Sequence, residues 1–160
     1  MGSFASNKKI KSYWKNLDDF NKGANQEFAL KNKFQFFDLL SEVYPSDSEI
    51  DLRDEKTRHD IVQNTIRILE SPAPSLLFNG KKAYQMFLMG LILLGVIDLQ
   101  LSKLKRCVRD CEYGLQGDYL GSSNTNHRLN GKPIYLAPNT SSMANSFDEF
   151  VWIDILNKIK

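Results

Sequence analysis

The sequence predicts an α+β fold: a small antiparallel sheet packed against two or three helices, with an N-terminal helix or arm. Three observations carry this. Residues 51–70 have a helical apolar stripe bounded by cap and proline signals. Residues 83–99 form the most apolar run, but Gly90 and Gly95 interrupt it, which suits a strand with a bend or bulge. Two Asn-Gly steps, Asn79-Gly80 and Asn130-Gly131, signal turns beside apolar segments. The alternative is an all-α bundle with 83–99 as its central helix. With 160 residues at 42% hydrophobic and 25% charged, the chain suits one domain with a real core. The reading divides it into a basic arm or amphipathic helix, 1–24, and one globular domain, 25–160.

Along the chain, Ile10, Tyr13, Trp14, Leu17 and Phe20 recur at helical spacing with lysines opposite, and Gly23 ends the element. Such a stripe packs on a core or lies on a membrane surface. Residues 28–44 are Phe-rich and apolar on every face, so periodicity does not separate helix from buried strand there. Ser48 or Asp51 can cap a helix that runs to Glu70, where Ser71-Pro72-Ala73-Pro74 breaks it. Residues 101–113 show no clean period. Residues 114–131 read as loop. Residues 132–136 read as an edge strand, because Pro133 cannot donate to a ladder. Ser146-Phe147-Asp148-Glu149 is a capping box, predicting a closing helix over 147–158.

The net charge of +2 argues against a strongly cationic nucleic-acid binder and against an acidic mimic of DNA, but it does not exclude a locally basic face. It is the sum of +4 over 1–33, −5 over 34–70, +3 over 71–112 and zero over 113–160. Met1-Gly2-Ser3-Phe4-Ala5-Ser6 fits the myristoylation pattern at Gly2, and it also reads as a cloning remnant. Lys8, Lys9, Lys11 and Lys15 follow, a polybasic patch of the kind that supplies a second membrane signal. With Gly2 they form the candidate membrane-binding set. Lys103, Lys105, Arg106 and Arg109 form a second basic cluster, a candidate patch for an acidic partner, either phosphate or protein. The acidic stretch 51–60 is a candidate site for a protein partner.

Other constellations carry less chemistry. Cys107 and Cys111 share a face, but zinc needs four ligands and no second pair stands at ligand spacing. They read as small buried residues, and no metal or other cofactor is expected. Two cysteines are too few for a disulfide scaffold. His59 and His127 read as exposed side chains; a small nuclease-type toxin would use His127 as base, with Arg128 or Lys132 on phosphate. Gly114, Gly117 and Gly121 match a phosphate loop only in their glycines.

The order of features resembles the globular domain of rhabdovirus matrix proteins. A Phe-rich segment, Phe34 to Leu40, leads through a turn to a helix. Then come Asn79-Gly80-Lys81-Lys82 and the run Ala83-Tyr84-Gln85-Met86-Phe87-Leu88-Met89-Gly90. Gly131-Lys132-Pro133-Ile134-Tyr135-Leu136-Ala137-Pro138 is similar to a later Gly-Lys-Pro-containing segment of that family. The resemblance spans about residues 34–155. It implies a noncatalytic viral structural protein that self-associates, binds the nucleocapsid and associates with the anionic inner face of the membrane. Its expected place is the host cytoplasm, the membrane's inner face and the virion. The lysines at 8, 9, 11 and 15 are the matching feature. No Pro-Pro-x-Tyr motif is present, and the chain is short for the family. Two other functions stand beside this one: an immunity- or inhibitor-type binding module using 51–60, and the toxin centred on His127.

Overall fold

The computed structural model describes residues 37–42, 47–116, 132–139 and 148–159. A 3-10 turn, Asp47–Glu49, leads into helix α1, Glu55–Glu70. Asp54, not Ser48 or Asp51, caps it: its carboxylate accepts the Thr57 backbone N–H at 2.8 Å and the Thr57 hydroxyl at 2.9 Å. Thr57, Ile61, Thr65 and Ile68 form the buried stripe. The helix stops at Glu70 as expected, with Ser71 in an extended conformation before Pro72.

Strand β1, Leu76–Asn79, follows and runs through Gly80 into helix α2, Lys81–Leu93. Gly80 takes φ 92° and ψ 157°, a region open essentially to glycine, and its N–H bonds to Ala137 O at 2.9 Å. The stretch expected as a bent strand is therefore α2. It is buried on nearly every side because α1, α3 and the sheet all pack on it, which erases the helical period from its sequence. The two glycines that argued for a strand have separate helical reasons. Gly90 lets α1 approach, as argued below. Gly95, at φ 67°, ends the element: its N–H bonds to Ile92 O at 3.0 Å and that of Val96 to Leu91 O at 2.8 Å, a Schellman cap.

Helix α3, Leu101–Asp110, buries Leu104 and Val108 and ends at Cys111. Strand β2, Gly114–Leu115, strand β3, Ile134–Ala137, and helix α4, Glu149–Lys158, complete the described chain. Asp148 caps α4, accepting from Phe150 N at 2.9 Å and Val151 N at 3.3 Å; the helix starts two residues later than the capping box suggests.

The fold is α+β, with a three-stranded sheet in the order β1-β3-β2. Two expectations about the sheet are corrected. It is mixed, not antiparallel: β1 and β3 run parallel in the register Leu76↔Ile134 to Asn79↔Ala137, while β2 is antiparallel to β3. A parallel neighbour needs a long crossover, which α2, α3 and β2 supply. And the segment after Pro133 is the central strand, not an edge. Pro133 lies one residue before it and acts as an acceptor, its carbonyl taking the Leu76 N–H at 3.0 Å. The sheet also excludes the all-α alternative.

Strand alternation divides the core. Leu76, Phe78, Ile134 and Leu136 face the α1–α2–α3 layer, where Phe78 packs on Phe87 with ring centroids 4.6 Å apart. Leu77, Tyr135 and Ala137 face α4, meeting Trp152 and Ile155. Trp152 Nε1 donates to Pro138 O at 2.8 Å, tying the helix to the end of β3. Three layers result: helices, sheet, and one helix.

Candidate functional site

The charge that the sequence concentrates in 71–112 becomes a face on α3. Leu104 and Val108 turn into the core, so helical geometry sends Lys103, Lys105, Arg106 and Arg109 outward, and all four are exposed. The sequence groups these four residues as a basic cluster; the helix that carries them is not among its expectations. Half of α3's ten residues are charged, and a stripe of only Leu101, Leu104 and Val108 is hard to see among them.

Two further lysines join this end of the molecule. Lys81 Nζ donates to Arg109 O at 2.6 Å, so the start of α2 lies against the end of α3. The same ammonium sits 5.3 Å from the centre of the Tyr113 ring, a cation–π distance. Lys82 follows on α2. In the sequence these two lysines stand out only through the resemblance, as the basic step after Asn79-Gly80, and not as candidate site residues. No acid occupies the first turn of α2, where a helix favours negative charge.

One carboxylate stands inside the basic set. Asp110 meets Arg109 at 2.9 Å and Arg106 at 3.9 Å. The hydrogen bond from Arg109 holds the Asp110 carboxyl below its usual range, aided by the charges of Arg109, Arg106 and Lys81. The pair is solvent-exposed, with side-chain exposures of 71% for Arg109 and 57% for Asp110, so it contributes little to stability and leaves both groups available to a partner. Among the described residues neither Lys103 nor Lys105 forms an ion pair.

The remaining candidates are placed as follows. Cys107 and Cys111 lie at the end of α3, half-buried, with Cys111 Sγ 3.2 Å from Cys107 O. Burial pushes the Cys111 thiol up, away from the thiolate form that reacts. Among the described residues no cluster of His, Cys, Asp or Glu could hold a metal ion. His59 is exposed on α1. Lys132, offered to a nuclease site, instead donates to Ser71 O at 2.6 Å. The acids of 51–60 are largely engaged nearby: Asp51 holds Arg53 through two oxygens, Asp54 caps α1, and Asp60 accepts from Ser41 N at 3.3 Å. The same stretch carries Arg53, Lys56 and Arg58, and Lys56 pairs with Glu42. Gly2, Lys8, Lys9, Lys11 and Lys15 lie outside the described residues, as do His127 and Arg128. No helix among the described residues is long and apolar enough to cross a membrane.

No protein-family model matches the chain, and no curated protein or solved structure matches it either.

Proposed function

We propose that this protein is a noncatalytic binding protein that docks an acidic, phosphate-bearing partner on the outer face of α3. The single observation that carries this reading is the disposition of Lys103, Lys105, Arg106 and Arg109. One side of the helix is sealed into the core, and the other presents four cations against one carboxylate. Such a face attracts polyanions by counterion release, without a desolvated pocket. The resemblance to rhabdovirus matrix proteins gives this partner a specific form, a viral nucleocapsid. It also adds a second contact, an anionic membrane surface bound through Lys8, Lys9, Lys11 and Lys15. In that form the protein is a structural link between the two.

Fluorescence anisotropy with a single-stranded RNA oligonucleotide, over a salt series, tests the α3 face. Four phosphate contacts predict a slope of log K against log salt of about −3, and K103E/K105E should bring it to about −1.5 or shallower. An unchanged affinity in the charge-reversed variant would overturn the proposal.

A further inference from the structure

Cys107 and Cys111 stand on consecutive turns at one margin of α3, and the binding face uses neither. Both thiols are free and half-buried, open to a small solute. They are neighbours: Cys111 Sγ lies 3.2 Å from Cys107 O. Between them in the chain lie Arg109 and Asp110, the ion pair that closes the basic face at this end. The helix gives way at the same turn. Cys111 is extended, at φ −65° and ψ 135°, and its N–H reaches back to Val108 O at 3.2 Å. The Arg109 carbonyl, one of the last four of the helix, is held from outside by Lys81 Nζ at 2.6 Å.

We propose that Cys107 and Cys111 are a thiol pair that hydrogen peroxide closes into an intrachain disulfide, and that closure displaces Arg109 and weakens polyanion binding to α3. The Cys107 thiolate attacks a peroxide oxygen, leaving a sulfenic acid at Cys107, and the hydroxide released takes up the thiol proton as water. The Cys111 thiol then attacks the Cys107 sulfur, and the sulfenic oxygen leaves as a second water. The two thiols lose two hydrogens in all, and the peroxide is reduced by two electrons. Cys107 attacks first, since burial disfavours the thiolate at Cys111. Side chains four apart on a helix have Cβ atoms about 5–6 Å apart, whereas a disulfide needs about 3.5–4.5 Å. The bridge therefore closes only as the last turn draws in. Val108 is anchored in the core, so the movement falls on Arg109 and Asp110 and breaks the Lys81 hold. A bridge made against helical geometry is readily reduced, which suits a reversible switch. The binding consequence rests on the α3 reading; the chemistry of the pair does not.

The test treats the reduced full chain with a small excess of hydrogen peroxide, then alkylates and digests it with trypsin. Trypsin cuts after Arg106, Arg109 and Arg128, so the bridge links peptides 107–109 and 110–128 in the mass spectrum. A non-reducing gel should show a single chain, and dithiothreitol should restore both thiols. Cys107→Ser and Cys111→Ser should each lose the linked species, and Cys111→Ser should leave a dimedone-reactive Cys107. In anisotropy titrations the oxidised chain should bind single-stranded RNA a few-fold more weakly than the reduced one. Its slope of log K against log salt should be shallower by about 0.7, one phosphate contact. Both serine variants should bind alike with and without peroxide. Absence of the linked peptides, or linkage only between chains, overturns the proposal. So does a linked chain whose RNA affinity is unchanged. A reduced chain that binds no RNA overturns the α3 reading and the regulatory step with it, while the linked peptides still decide the chemistry of the pair.

Discussion

The Thr65 hydroxyl oxygen lies 2.0 Å from the point that a Cβ on Gly90 would occupy, and Thr65 Cβ lies 2.7 Å from it. Helices α1 and α2 therefore meet backbone to side chain at this point, with both residues fully or nearly fully buried. Glycine inside a helix ordinarily costs about 1 kcal/mol relative to alanine. Here that loss permits the contact on which the helical layer is built.

Gly90→Ala is accordingly expected to destabilise the protein by about 1–3 kcal/mol, against the sign of helix propensity, because the added methyl overlaps Thr65. Gly95→Ala meets no atom within 4 Å and should lose only about 1 kcal/mol, from its left-handed backbone. Urea unfolding of both variants distinguishes a steric cause from a conformational one. Thr65→Val, which keeps the shape and removes a hydroxyl that has no hydrogen-bond partner among the described residues, should leave stability unchanged or raised.

Trp152→Phe removes the indole donor from Pro138 O and leaves a buried carbonyl unsatisfied. A loss of about 2 kcal/mol is expected, from the orphaned acceptor together with the smaller ring. Chemical denaturation followed by far-UV circular dichroism measures it. Trp152→Tyr should do no better, since its hydroxyl does not reproduce the position of the indole N–H.

Asp54 makes a pH prediction. The Thr57 backbone N–H, and then its hydroxyl, hold the Asp54 carboxyl below its usual range. A depressed carboxylate contributes stability that is complete above its unfolded pKa, about 3.9, and is lost as pH falls through the lower folded value. Melting temperature should therefore fall on acidification below about pH 4. Asp54→Asn keeps a capping oxygen but cannot titrate, so its acid limb should be shallower than that of the wild type. Parallel limbs would show that the cap does not contribute to acid unfolding.

Asp110→Asn removes the one carboxylate among Lys81, Arg106 and Arg109. The variant should bind single-stranded RNA a few-fold more tightly at low salt, with the advantage shrinking as salt rises. Anisotropy titrations at two ionic strengths give the answer. Equal affinities would mean that the nucleic acid does not reach this end of α3.

What the sequence made legible was local. The Ser71-Pro72 stop and the end of α4 at Lys158 each depend on a few neighbouring residues. What it hid was tertiary. Apolar residues surround α2 on all faces, so no period could mark it as a helix, and the reason for Gly90 lies across the chain at Thr65. Pro133 argued for an edge by the donor it lacks, but its carbonyl is used by the strand beside it. In the run Phe150-Val151-Trp152-Ile153, hydrophobicity alone could not tell that Trp152 faces the sheet and Phe150 the solvent.

The parallel pairing of β1 with β3 has a kinetic consequence. Leu76 meets Ile134 only after two helices and a strand have been laid down between them. Contacts of α1 with α2, and of α2 with α3, join neighbours along the chain and close short loops. The helical layer is therefore expected to collapse first, with the central strand inserting late and α4 sealing the far face behind it. Pulse-labelling hydrogen exchange should show amides of α1 and α2 protected before those of β3. Simultaneous protection would indicate one cooperative step instead. Until that insertion, Leu76 and Phe78 of a growing chain are covered on the helical side only, and β1 waits with an open edge for a strand not yet made.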